Sequence, residues 1–249
     1  MFIGLGLIAT LASANATAHD YWLEPDPSGV AGSRRVRLFM GESLAKEEAR
    51  PFAPSAFSSF VRVTRDRSID VLLHDEWEIV VPYASFLLVA GRNARILTLG
   101  AEKFETYLRE EGLDAIVADR LARGESGRVG RERYTRYLKL LVGPRSQLLA
   151  KRHFDQRLEI ALESDAGAGP VQATITFDGE PLRDVAVTAF VRGAKSTNAQ
   201  KQRTNLDGKV TFDRARGLWN IRLVHMRRCY GCVDAEWESF WGSFVLELK

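Results

Sequence analysis

Histidine is scarce in this 249-residue chain, which has four, at positions 19, 74, 153 and 225. His19 follows Ala16-Thr17-Ala18, and before that runs an uncharged stretch with an apolar centre from Ile3 to Leu11. A small-x-small triplet behind such a run is the pattern that signal peptidases cut behind, although no Lys or Arg precedes it here. Residues 1–18 are therefore expected to be a leader, too short to span a membrane, which takes about 20 apolar residues. Cleavage after Ala18 makes His19 the first residue of the mature chain. Its amine and ring Nδ1 then close one chelate ring, a donor set that Cu(II), Ni(II) and Zn(II) favour.

The two cysteines form Cys229-Tyr230-Gly231-Cys232. In an exported chain this pair is expected to close a tight local disulfide, with a thiolate metal site as the alternative. A redox-active pair is disfavoured, because that motif belongs at the start of a helix and this one falls in a loop after a β-rich run.

The charged residues, 35 Lys plus Arg against 32 Asp plus Glu, leave a net +3 and are interspersed. No basic stripe interleaved with aromatics marks a nucleic-acid interface. Behind the leader no run is long and apolar enough for a membrane span. There is no Gly-x-Ser-x-Gly, His-Glu-x-x-His, phosphate loop or dinucleotide fingerprint.

The periodicity predicts the elements that must position these residues. Alternating or β-branched runs at 35–40, 59–64, 69–73, 78–81, 85–90 and 94–99 read as strands of an N-terminal β region, 19–100. Residues 46–54 read as an exposed loop. Apolar residues at spacings of three and four predict a helical segment over 101–143: one helix over 101–110 continuing through 113–123, and a second over 131–142. Phe104, Tyr107, Leu108, Tyr134, Tyr137 and Leu141 are expected to cover a sandwich face or fill the gap between two β regions. Short strands from 158 to 248, with turns at Asp178-Gly179 and Asp207-Gly208, predict a C-terminal immunoglobulin-like domain over 157–249. The fold class is thus mainly β: two β-sandwich, immunoglobulin-like regions with an intervening helical pair.

Four segments give the chain a likeness. They are His19-Asp20-Tyr21-Trp22-Leu23-Glu24-Pro25; Gly41-Glu42; the stretch from Glu102 through Tyr107, Gly112 and Arg120 to Arg136-Tyr137; and Gly217-Leu218-Trp219 through His225, ending in Asp234 to Trp241. On these the chain resembles the DUF4198 family of exported bacterial proteins, also described as nickel-uptake-related periplasmic proteins. The resemblance implies a periplasmic or secreted protein with a metal-linked role, and a metal transporter or another envelope protein as partner. His19 and His225 are the histidines that match. Together with the terminal chelate, this gives an expected site for nickel, cobalt, copper or zinc: two donors from His19, a third from His225, and from Asp20, Glu24 or Glu42 either an oxygen ligand or a hydrogen-bond acceptor behind the ligands.

Three other readings stand beside it. One is a non-enzymatic carbohydrate- or protein-binding β-sandwich module. Another is a copper-dependent oxidative enzyme with a histidine brace, its flat face furnished by Trp22, Trp219, Trp237 and Trp241. The last is a hydrolase using Asp234 and Glu236.

Overall fold

The computed structural model of the chain describes residues 19–26, 33–45, 48–81, 85–143, 147–163 and 169–249. The expected leader lies outside them. The N-terminal half supplies β1 (Asp20–Asp26), β2 (Arg34–Gly41), β3 (Glu48–Arg50), β4 (Phe57–Val63), β5 (Ser68–Asp70), β6 (Ile79–Val81), β7 (Phe86–Arg92) and β8 (Arg95–Leu99). Then come α1 (Ala101–Glu110), α2 (Asp114–Ala122), β9 (Gly130–Val142) and the short α3 (Gln147–Ala150). The rest is β10 (Leu158–Leu162), β11 (Val171–Phe177), β12 (Glu180–Pro181), β13 (Ala186–Arg192), β14 (Thr197–Arg203), β15 (Lys209–Phe212), β16 (Gly217–Arg228) and β17 (Trp237–Leu248).

These strands form three sheets. A nine-stranded sheet has the order β14-β13-β16-β17-β9-β7-β4-β5, with β8 also paired to β9. Its pairs are antiparallel except β9 with β17, which run parallel and join strands from the two halves into one sheet. Two four-stranded sheets pack on it: β1-β2-β3 with β6 on β2, and β10-β11-β12 with β15 on β11. The chain is thus mainly β with a small helical segment, and the nine-stranded sheet draws on residues both before 100 and after 157.

Alternation along the central strands sorts the core into layers. Leu138, Leu140 and Val142 of β9 join the cluster of the β1–β2 sheet, which includes Trp22, Leu23, Val36 and Leu38. Tyr137 and Leu141 face the opposite way, into the cluster of the β10–β11 sheet. Trp237 and Trp241 of β17 and Val224 and Met226 of β16 pack under α1 and α2. One face of the large sheet is therefore shared by the β1–β2 sheet and the helices, and the other belongs to the β10–β11 sheet. Fully burying one such large apolar side chain stabilises the fold by about 1.5–3 kcal/mol.

The helix expected over 131–142 is strand β9. Tyr134, Tyr137, Leu138 and Leu141 do fall at helical spacings, but the segment is hydrogen-bonded on both edges, to β7 and β8 on one side and β17 on the other. A strand buried on both faces loses its alternation and reads as a continuous apolar run, so its end, Leu138 to Val142, was ambiguous. Residues 48–50, expected as loop, pair with β2 as β3. The helix over 101–110 is as predicted, with Phe104, Tyr107 and Leu108 buried and Glu102 in its first turn, where the helix dipole favours a carboxylate. Gly112, at φ +71°, ends it. Arg120 ties α2 down: 2% exposed, it donates to Glu105 at 2.7 Å and to the carbonyls of Glu125 and Arg128. Asp178 and Gly179 both have positive φ, the geometry of a two-residue I′ hairpin turn.

Candidate functional site

The first strand is anchored along its whole length. Trp22 and Leu23 are fully buried, and the Trp22 indole N–H donates to Glu24 at 3.0 Å. Arg192 of β13 reaches across to donate to the other Glu24 oxygen at 2.5 Å and to the carbonyl of Leu44 at 3.0 Å. Tyr21 lies under two guanidinium groups, Arg92 at 4.4 Å and Arg136 at 4.6 Å from the ring centroid. Arg222 of β16, 8% exposed, pairs with Asp20 at 2.7 Å and with both oxygens of Glu111 at 2.5 and 2.9 Å.

The electrostatics follow from this burial. Desolvation pushes the Asp20 carboxyl above its ordinary range, against the pull of Arg222. Desolvation also works against the charge of Arg222, but Asp20 and Glu111 outweigh it and hold the guanidinium above the usual arginine range. Nearby, Glu132 is wholly buried and accepts from the Tyr107 hydroxyl at 3.1 Å. Burial raises it to about 7, although the Tyr107 hydrogen bond opposes the shift.

His19 stands directly before β1. In the β1–β2 pairing Asp20 lies opposite Gly41, so one step further along each strand sets His19 beside Glu42. Their Nδ1 and Oε1 are 4.0 Å apart. Glu42 and Asp20 open onto a cavity of about 670 Å³ between the β1–β2 sheet and α1, lined also by Tyr107, Glu111, Lys201 and Arg222. A ring nitrogen and a carboxylate oxygen this close suit a cation, and the charged lining of the cavity suits a polar ligand.

His225 does not join them. It stands on β16 three residues beyond Arg222, so its side chain leaves the opposite face of the sheet. There it packs on Phe177 and Phe240, at 4.5 and 6.3 Å between ring centroids. Burial lowers its pKa to about 4, with Arg227 adding to the effect. As a partner of His19, in a three-donor set or in a histidine brace, His225 is corrected: the nine-stranded sheet lies between them. Asp20 and Glu24 stay near His19 but are engaged by Arg222 and Arg192. Among the described residues, no group of three or more His, Cys, Asp or Glu side chains is placed to hold a metal ion.

The other candidates have structural partners. Cys229 and Cys232 are joined in a disulfide in the loop between β16 and β17. Glu236 of the paired carboxylates is held by Arg131 at 2.6 Å. His153 Nδ1 lies 3.2 Å from Glu159, which is bound to the buried Lys139 at 2.7 Å, and His74 is exposed on a loop. Sequence reasoning missed Glu111, Arg192 and Arg222. A signal for Arg222 was present, since an arginine inside Asn220-Ile221-Arg222-Leu223-Val224 needs a buried partner.

A scan against protein families matches residues 16–227 to the domain of unknown function DUF4198. The match ends before the disulfide loop and before Asp234 to Trp241, which the sequence reading had counted in the resemblance. A search among curated proteins finds no match. With most of its length matched, the chain belongs to the DUF4198 family.

Proposed function

We propose that this is an exported, periplasmic protein that binds a divalent transition metal at its mature N-terminus and passes it on. The observation that carries the reading is the His19–Glu42 pair, 4.0 Å apart, with Glu42 in the lining of the cavity. A tetrahedral metal bonded to a nitrogen and an oxygen at about 2.0–2.2 Å each holds them about 3.3–3.6 Å apart, so the pair must close by about half an ångström to share one. After cleavage behind Ala18, the His19 amine adds a third donor without any further side chain. Asp20 and Glu24 act behind this set, fixing β1 through Arg222 and Arg192, so that the terminus is held where chain ends are ordinarily loose. So small a protein ligand set leaves open positions through which a metal can be exchanged, which suits delivery to an envelope transporter. Nickel, cobalt, copper and zinc all fit these donors, with copper expected to bind most tightly. Within this reading the C-terminal unit is an immunoglobulin-like sandwich that serves as scaffold.

Calorimetric titration of leader-free protein tests it. Cu(II) or Ni(II) should bind at one site per chain, and Glu42→Gln should weaken binding by about tenfold, or 1.4 kcal/mol. Equal affinity in the variant would remove Glu42 from the site. The cavity itself favours a second reading, a non-enzymatic module that holds a small polar ligand there. Metal-independent ligand binding, abolished by filling the cavity, would support it.

A further inference from the structure

A second pocket, of about 230 Å³, opens beside β1. Asp20 lines the large cavity; its neighbour Tyr21, which projects to the other side of the strand, lines this one. Four arginines face it, Arg50, Arg92, Arg95 and Arg136, with Tyr21 and Tyr134, and no Asp or Glu is in its lining. Arg136 is 7% exposed, and its Nε has no hydrogen-bond partner among the described residues. The same holds for Nη1 of Arg92 and Nε of Arg50.

Arg50 Nη2 donates to Met40 Sδ at 3.3 Å, and Arg92 also hydrogen-bonds Tyr21, but the three nitrogens just named stay unspent. Arg136 lies over the rings of Tyr21, Tyr134 and Trp241 at 4.6, 5.1 and 4.4 Å, and Arg92 over Tyr21 and Phe57 at 4.4 and 5.4 Å. A cation–π contact uses the face of the guanidinium, whereas its five N–H groups point outward in the plane. Of the nearby carboxylates, Glu48 pairs with Arg50 at 2.7 Å and Asp20 is committed to Arg222. Burial works against the charge of both Arg92 and Arg136, and Arg136 adds repulsion at Arg92. Partly buried like charges with unsatisfied in-plane donors are the complement of an anion.

We propose that this pocket binds a small oxyanion, a phosphate or a carboxylate group, between Arg92, Arg95 and Arg136. Its volume is below the 300–1,000 Å³ usual for larger organic ligands, which limits the bound part to a compact group. The proposal is independent of the metal reading, since neither His19 nor Glu42 lines the pocket.

Leader-free protein, titrated calorimetrically with inorganic phosphate and separately with succinate at low ionic strength, tests it. One site per chain should bind at least one of the two, more weakly in high salt, and the preferred probe names the oxyanion. Arg92→Gln and Arg95→Gln should each weaken binding by about tenfold or more, as expected for a lost charge-assisted hydrogen bond. Arg136, part of the core, is left intact. Circular dichroism and thermal melting establish that each variant is folded. No binding of either probe at millimolar concentration, or unchanged affinity in both folded variants, overturns the proposal.

Discussion

Asp20 and Arg222, near opposite ends of the chain, meet at 2.7 Å in the wall of the large cavity, where Glu111 of the helical segment also binds the guanidinium. One arginine thereby ties the first strand, the end of α1 and the C-terminal β16 together. Removing it leaves two partly buried carboxylates without their ion-pair partner, with only the more distant charge of Arg136 acting on Asp20. Breaking a buried ion pair from one side costs about 3–5 kcal/mol. Arg222→Met is therefore expected to lower stability by that amount in urea denaturation; a loss within about 0.5 kcal/mol, ordinary for a surface residue, contradicts the role.

Glu132 gives the fold a dependence on pH. Its folded pKa, raised to about 7 from 4.5, means that folding favours the protonated form. The stability it contributes is complete below about 4.5 and is lost as pH rises through about 7. Glu132→Gln should thus be more stable than the parent at about pH 8, with the gap closing towards pH 4. Parallel stability profiles across that window would show that the carboxyl is not desolvated.

His225 has the opposite sign. With its pKa lowered to about 4 from 6.5, folding favours the neutral ring. Its contribution is complete above about 6.5 and lost as pH falls towards 4. His225→Phe should flatten the acid limb of the stability curve and leave metal affinity unchanged. A tenfold loss of affinity would return His225 to the metal site.

The disulfide of Cys229 and Cys232 is exposed through Tyr230, 91% accessible between them. Thiol labelling of the native protein without reductant should modify neither cysteine. Rapid labelling of both would show that the loop carries free thiols.

Much of this architecture was legible in the residues. Phe104, Tyr107 and Leu108 marked α1, and the Asp178-Gly179 pair marked a hairpin. Strand β9 was not legible, because a run such as Leu138 to Val142, buried on both faces, matches a helical stripe as well as a strand. The site was read at one end only. Glu42 follows from a register that a single sequence hints at, whereas the separation of His19 from His225 depends on which face of β16 is turned inward. That face is set by pairing with β13 and β17, not by local pattern. Arginines that end as partners of largely buried carboxylates, Arg192 and Arg222, look in sequence like surface charge until the strands around them are assembled.

The central claim is that His19, freed as the mature terminus, holds the metal with its amine, its ring and Glu42. Adding one residue ahead of His19 removes the amine from chelating position and leaves every side chain in place. Calorimetric titration of Cu(II) or Ni(II) into the mature chain and into this extended form tests the claim most directly. The expected result is micromolar or tighter binding at one site in the mature chain, and binding at least about tenfold weaker in the extended form. Identical affinity in the two chains, or no binding in either, would contradict it.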